Sequence, residues 1–382
     1  MRIPVLLMAR ELALGGSERQ LTEIARGLDR ESFEPHVACF RASGFRAEEL
    51  RAAGVPLVRL PAASLMGLST LVAARQLGQY LSRHAIQLVH TFDTPMNLFG
   101  APLARMYRVP VVLSSQRAYR ELTPPFGRHL LRLTDRLVDG VVVNCRALRR
   151  HLVEDERTPA RLVRLCYNGI DAAVFHPCER RVSEDTGVTI GVVCALRPEK
   201  DLGTLLRAFA QVRAAHPAAR LLLVGSGSCR PALEDLSRAL GLGASCRFEP
   251  AVRDVTPWLH AIDIFVLPSL SEALSNSLME AMACGCCAVA SAVGGNPELV
   301  TPEKTGLLFR AGDTAGLAAC LRRLLDNRAL RREMAAAAAH TIAREFSLAA
   351  AARQMGSIYQ SYAAKVRNRT PPERLPSAPP LH

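Results

Sequence analysis

The sequence predicts an α/β protein made of two doubly wound domains facing across a cleft, and three observations predict it. The 382 residues exceed what one hydrophobic core organises, and a 49% hydrophobic content supplies two cores of ordinary size. Short, uniformly apolar runs alternate with helical patterns, as in parallel sheets covered on both faces. The series also restarts after a polar break. Its first half comprises Val5–Ala9, Val37–Phe40, Leu57–Leu60, Ile86–His90, Val111–Ser114, Gly140–Asn144 and Leu162–Cys166, and its second Ile190–Cys194, Leu221–Val224, Ile264–Leu267, Cys287–Ala290 and Gly306–Phe309. Between them lie Asn168-Gly169-Ile170-Asp171, a turn signal, and the polar stretch Glu179 to Gly187. The expected boundaries are 1–168, a linker over 169–188, and 189–345. A last helix spans 346–367, and the proline-rich residues 368–382 form a disordered tail.

Ligands of doubly wound sheets bind beyond the C-terminal ends of the strands, so the segments that follow each run are the candidates. After the first run comes Gly15-Gly16-Ser17-Glu18-Arg19-Gln20, where paired glycines admit a phosphate or sugar close to the backbone. Ser17 and Gln20 carry capping-box spacing for the helix that follows. After Ile86–His90 and Val111–Ser114 come His90 and Asp93, suited to aligning an acceptor hydroxyl, and Arg117, suited to an acceptor phosphate or the donor. After Ile190–Cys194, Arg197 and Lys200 stand three residues apart, able to meet two oxygens of one diphosphate and to offset charge on a departing nucleotide. Gly225 and Gly227 form a strand-to-turn element that borders a base or phosphate. Pro268 to Gly285 places Glu272 on the approach to a helix capped by Ser275 and stopped by Gly285, with Glu280 more than one turn inside. Free amides at that helix start favour an anion, and carboxylates accept from hydroxyls. A sugar nucleotide offers both surfaces.

Composition narrows the field. The formal charge is +13, but the arginines are interspersed with acids and aromatic residues are only 5%, which argues against nucleic-acid binding. The excess charge is equally compatible with an anionic donor or acceptor, a membrane surface, or solubility alone. No run approaches the roughly 18 apolar residues of a spanning helix, and Met1-Arg2-Ile3-Pro4 lacks a signal-peptide pattern, so any membrane contact is expected to be peripheral. Eleven irregularly spaced cysteines read as thiols of a reducing cytosol. Cys284, Cys286 and Cys287 are crowded, but without a second Cys pair or clustered His no metal is expected.

Taken together, these segments resemble the retaining glycosyltransferases of family four, which have the GT-B fold of two Rossmann-like domains. The matching residues are Gly15-Gly16-Ser17-Glu18, Asn168-Gly169-Ile170-Asp171, Leu196-Arg197-Pro198-Glu199-Lys200, Gly225-Ser226-Gly227, the whole of Pro268 to Gly285, and Gly294-Gly295-Asn296-Pro297-Glu298. The resemblance covers about residues 1–365. It implies that Arg197 and Lys200 hold the donor diphosphate, that Glu272 contacts the transferred sugar and that Glu280 holds the nucleotide ribose. The loop Ala273, Leu274, Ser275 and Asn276 borders the donor, and Gly16 approaches the reacting centre. It further implies no cofactor and no metal, acceptors that are glycans or lipid-linked precursors, an acceptor-side first domain, and a C-terminal helix crossing back to that domain. Two departures stand out: Glu272-Ala273-Leu274-Ser275 replaces Glu-Gly-Phe-Gly, and Ser115-Gln116-Arg117 stands where many members carry a histidine.

Competing readings differ in their products. A sugar-nucleotide epimerase shares the two-domain cleft but interconverts free donor, and a non-enzymatic binding module releases no nucleoside diphosphate. A nicotinamide dehydrogenase lacks its fingerprint here, since no G-x-G-x-x-G follows the first strand of either series.

Overall fold

Apolar runs bounded by turn residues become strands because burial on both faces favours branched side chains at every position. The structure, a computed structural model, describes residues 2–13, 15–62, 67–178 and 187–367. All seven runs of the first half form strands: β1 (Ile3–Glu11), β2 (Phe33–Arg41), β3 (Leu57–Arg59), β4 (Leu88–Thr91), β5 (Val111–Gln116), β6 (Gly140–Val143) and β7 (Val163–Leu165). They pair in parallel in the order β3-β2-β1-β4-β5-β6-β7. The second half forms β8 (Thr189–Val193), β9 (Arg220–Val224), β10 (Cys246–Glu249), β11 (Ile264–Leu267), β12 (Cys287–Ser291) and β13 (Gly306–Phe309), ordered β10-β9-β8-β11-β12-β13. Chain order reverses at β1/β4 and at β8/β11. The loops leaving these four strands therefore open onto the switch-point crevices where doubly wound folds bind ligands.

One strand escapes the apolar pattern. Cys246-Arg247-Phe248-Glu249 alternates in polarity, and as β10 it is the edge of the second sheet with Arg247 exposed, so it needs no second apolar face. The polar residues 179–186 and the tail 368–382 lie outside the described residues, as does Leu14.

The chain crosses between domains twice in one place. Ile170 N–H donates to Phe346 O at 2.8 Å and Leu348 N–H to Ile170 O at 2.9 Å, so the outgoing and returning segments form one two-stranded hinge. After the second crossing, the helix Leu348–Arg367 lies on the first domain and buries Met355, Tyr359 and Ala363 beside Phe33 and the helix Gly16–Gly27. Each large side chain buried in this way contributes about 1.5–3 kcal/mol, which fixes the helix to the first domain although it follows the second in sequence. Tyr359 meets Phe33 edge-on, ring centroids 5.9 Å apart.

Candidate active site

A cleft of 910 Å³ separates the facing edges of the two sheets, and its walls include Gly16, Arg117 and Asn144 from the first domain and Arg197, Lys200 and Glu272 from the second. After β8 the chain makes a single tight turn, Pro198–Lys200, in which Lys200 N–H donates to Arg197 O at 3.0 Å and Asp201 takes a left-handed φ of 44°. This turn presents both cations on the rim, with Arg197 exposed. Leu270 N–H donates to Glu199 O at 2.8 Å and thereby ties the turn to the loop after β11. Glu272 on that loop accepts from Lys200 Nζ at 2.5 Å and from Ser269 Oγ at 3.1 Å.

The next helix, Asn276–Ala283, begins where the sequence predicts: Ser275 Oγ accepts from Leu278 N–H at 3.3 Å, and Gly285 ends it at a φ of 81°. Leu278, Ala281 and Met282 face the core, and Glu280 is turned to the cleft wall with only 6% exposure. Ala273, Leu274, Ser275 and Asn276 line the cleft, and Gly295 N–H donates to Ala273 O at 2.6 Å, pinning the loop from behind. A side chain at Gly294, where φ is 53°, would overlap the Glu272 carbonyl, so a glycine is required there. Gly15 and Gly16 also line the cleft. A Cβ on Gly16 would lie 3.2 Å from Asn276 Nδ2, so its bare backbone faces the start of that helix directly.

Several groups bind the two cleft walls together without any signal in the sequence spacing. Arg19, one turn into the helix Gly16–Gly27, forms an ion pair with Glu280 of the opposite domain, and its guanidinium lies 4.9 Å from the centre of the Phe175 ring. Burial first, then repulsion from Arg46, pull the Arg19 pKa down to about 10. Gln20 does not close the expected capping box with Ser17; Gly15 caps the helix by position alone. Gln20 instead exchanges hydrogen bonds with Gly169 across the hinge, accepting from its N–H at 3.1 Å and donating to its oxygen at 3.2 Å. Asn168 Nδ2 donates to Asn276 Oδ1 at 2.8 Å. Glu298 reaches from the second domain to the start of the helix Arg146–Glu154, accepting from the N–H groups of Arg146 and Ala147 at 3.0 Å each and from Tyr167 Oη at 2.8 Å. A carboxylate there meets unpaired amides and the positive end of the helix dipole.

Four further predicted residues take places that the spacing did not foresee. His90 is fully buried, with Nδ1 2.7 Å from Tyr359 Oη and Nε2 2.9 Å from Ser115 Oγ, so both ring nitrogens are engaged inside the first domain. Burial, with the nearby Arg117 charge second, holds it well below the usual histidine range and therefore neutral. Asp93 caps the helix Thr94–Met106, accepting from Met96 N–H at 2.9 Å and Arg10 N–H at 2.5 Å, and desolvation raises its pKa to about 6. Gly225 and Gly227 pack against the backbone of Cys194 and Leu196, where any Cβ would collide with a carbonyl, so their lack of a side chain serves the joint between β8 and β9. Cys284, Cys286 and Cys287 are buried, and among the described residues no group of three or more His, Cys, Asp or Glu is arranged to hold a metal ion.

Two parallel-sheet domains opposed across a polar cleft, with a helix that returns to the first, define the GT-B fold. Residues 14–174 match the family model described as Glycosyltransferase Family 4, and residues 187–327 match the one described as Glycosyl transferases group 1. The two matches, one on each domain, make the chain a GT-B-fold glycosyltransferase related to family 4. It is similar to the D-inositol 3-phosphate glycosyltransferase of Salinispora tropica, 29% identical over 90% of this chain and 72% of that protein. It is also similar to the protein of the same description from a Nocardioides species, 32% identical over 60% of this chain, where the match spans little more than half, 55%, of the relative's length. Among solved structures, Anabaena Alr3699/HepE in complex with UDP-glucose superposes with a TM-score of 0.83, at 21% identity, over 94% of this chain and all of that one, a likeness of fold.

Proposed function

We propose that this chain is a retaining glycosyltransferase that moves a hexose-type sugar from a nucleoside-diphosphate sugar to a hydroxyl of a glycan or lipid-linked acceptor. The observation that carries the reading is the convergence of Arg197, Lys200, Glu272 and Glu280, two cations and two carboxylates, on the lining of one cleft. The acceptor hydroxyl attacks the anomeric carbon from the side the diphosphate leaves. The bond from that carbon to the diphosphate oxygen breaks with its electron pair, which Arg197 and Lys200 stabilise, and a donor phosphate oxygen receives the hydroxyl proton. Glu272, released from Lys200 as the cation turns to phosphate, accepts from the sugar hydroxyls, and Glu280 accepts from the ribose. The relatives named above are described as D-inositol 3-phosphate glycosyltransferases, which favours transfer over epimerisation. A screen of nucleotide sugars tests the reading: release of nucleoside diphosphate that depends on an added acceptor supports it, and interconversion of donor without acceptor overturns it.

The first domain also supports peripheral contact with an anionic membrane at the inner face. The helices Leu68–Arg83, Thr94–Met106 and Pro125–Asp135 lie side by side on one face of the first sheet. They carry exposed Leu68, Leu71, Val72, Met106, Phe126 and Leu133 among arginines, and their single acid, Asp135, turns inward to Arg120 at 2.8 Å. Arg105 and Arg132 are paired with Asp139 at 2.6 Å and Glu156 at 2.8 Å, while Arg75 and Arg83 stand exposed, and apolar side chains beside such arginines suit an interfacial surface. Among the described residues no helix is long and apolar enough to cross a membrane. Replacing Leu71 and Phe126 together by Asp is expected to lower the fraction pelleted with phosphatidylglycerol vesicles about tenfold, with donor affinity unchanged. Equal pelleting of the variant would remove this face from membrane contact.

A further inference from the structure

The cations of the cleft are paired with carboxylates in most cases: Arg19 with Glu280, Lys200 with Glu272 at 2.5 Å, and Arg46 with Glu49 at 2.7 Å. Arg117 is different. It follows β5 directly, lies 4.9 Å from the centre of the Phe92 ring, and donates from Nη1 to the neutral amide oxygen of Asn168 at 2.7 Å. Its Nε is buried without a hydrogen-bond partner. The titratable groups around it are the Cys166 thiol, which burial pushes up to about 12, the Tyr359 phenol, which burial raises well above its ordinary value, and the neutral His90. Among the described residues no carboxylate is paired with it. Burial consequently lowers the Arg117 pKa to about 10, which still leaves it fully charged near neutrality. The Arg117 side chain is half-buried and borders the cleft, and a partly desolvated guanidinium without a counter-charge is a feature that evolved proteins keep at functional sites.

A second orphan stands beside it. In the register of β5 and β6, Gln116 pairs with Val143, so the next residues, Arg117 and Asn144, are lateral neighbours where the two strands reach the cleft. Asn144 is 3% exposed and its Oδ1 has no hydrogen-bond partner. A charged guanidinium with an unmatched Nε thus adjoins an acceptor, Asn144 Oδ1, that has no hydrogen-bond partner among the described residues. The complement is an anion with a hydroxyl close by.

We propose that Arg117 and Asn144 form a recognition site for a phosphate or carboxylate group, with a neighbouring hydroxyl, carried either by the acceptor or by the transferred sugar. This rests on the transferase reading of the cleft and narrows its substrate to a charged one. Arg197 and Lys200, on the opposite wall, remain with the leaving diphosphate, so the two anion sites belong to different domains and come into play together only across the closed cleft.

The test compares the full chain with Arg117→Gln, Arg117→Lys and Asn144→Ala, using charged and neutral pairs: glucose 6-phosphate against glucose as acceptors, and UDP-glucuronate against UDP-glucose as donors. If the charge is the acceptor's, Arg117→Gln raises the KM for glucose 6-phosphate about a hundredfold and leaves that for glucose and the donor affinity unchanged. If it is the sugar's, the same loss falls on UDP-glucuronate alone. Arg117→Lys restores part of the preference in either case, because it returns the charge without the fork. Arg117→Gln also keeps or raises the thermal midpoint, whereas a residue placed only for packing would lower it. Calorimetry with glucose 6-phosphate and UDP-glucuronate reads the site without turnover. Arg117-dependent binding in the absence of any sugar transfer would sink the transferase reading and keep the anion site. A wild-type protein that binds charged and neutral probes alike, or an Arg117→Gln variant that keeps the preference, overturns the proposal.

Discussion

Lys200→Ala is expected to lower turnover about a hundredfold to a thousandfold while the protein stays folded. The expectation follows from what Lys200 touches. Its Nζ is 2.5 Å from Glu272 and the side chain retains 17% exposure on the rim of the cleft, so the ammonium is held beside that carboxylate yet remains open to a ligand in the cleft. In the transition state the leaving oxygens gain charge, and a fixed cation beside them stabilises that state more than the ground state. The cost to folding is small by comparison. Glu272 loses a partner but keeps its hydrogen bond from Ser269 and its access to the cleft, so stability falls by about 1–2 kcal/mol. The kcat at saturating donor, read beside the thermal midpoint, decides the matter. Near-normal turnover in a folded Lys200→Ala protein would remove the ammonium from leaving-group stabilisation.

The parts of this architecture that were legible in the sequence are those governed by local periodicity. Uniformly apolar runs announced twelve of the thirteen strands, and β10 was missed because an edge strand covered on one side needs no continuous apolar run. The Ser275 cap and the Gly285 stop were legible because both act within one helical turn. Distances across the cleft were not. Arg19 and Glu280 are separated by 261 positions, and nothing in the chain near Arg19 distinguishes a buried interdomain arginine from a solvated one. The glycines at 225 and 227 illustrate the same limit. Their place after a strand suggests a turn bordering a base or phosphate, and only the structure shows the backbone of Cys194 and Leu196 packed where a side chain would stand. His90 and Asp93 follow a strand at the switch point, as a site residue would, but the returning C-terminal helix supplies Tyr359 to His90, and a local turn spends Asp93 on a helix cap.

Glu280→Gln should cost donor affinity about tenfold to a hundredfold and, separately, about 3–5 kcal/mol of stability. The two losses share one cause, since Glu280, which pairs with Arg19, is also the residue proposed to hold the ribose. It pairs with Arg19 across the cleft, where the two side chains keep only 8% and 12% exposure. A ribose arriving at Glu280 competes with that guanidinium, which must turn to another anion, the donor's own phosphate being the nearest in kind. Glutamine keeps the shape of the site and accepts a hydroxyl proton, but it is neutral, so the ribose loses a charge-assisted hydrogen bond and Arg19 is left as a buried cation without its counter-charge. The double variant Arg19→Met with Glu280→Gln separates the effects: it recovers most of the stability and none of the donor affinity. Calorimetric titration with the donor identified by screening, together with denaturant unfolding of the single and double variants, measures both. Unchanged donor affinity in Glu280→Gln would take Glu280 out of the ribose site, and a double variant no more stable than Glu280→Gln would show that the interdomain ion pair does not hold the two walls together.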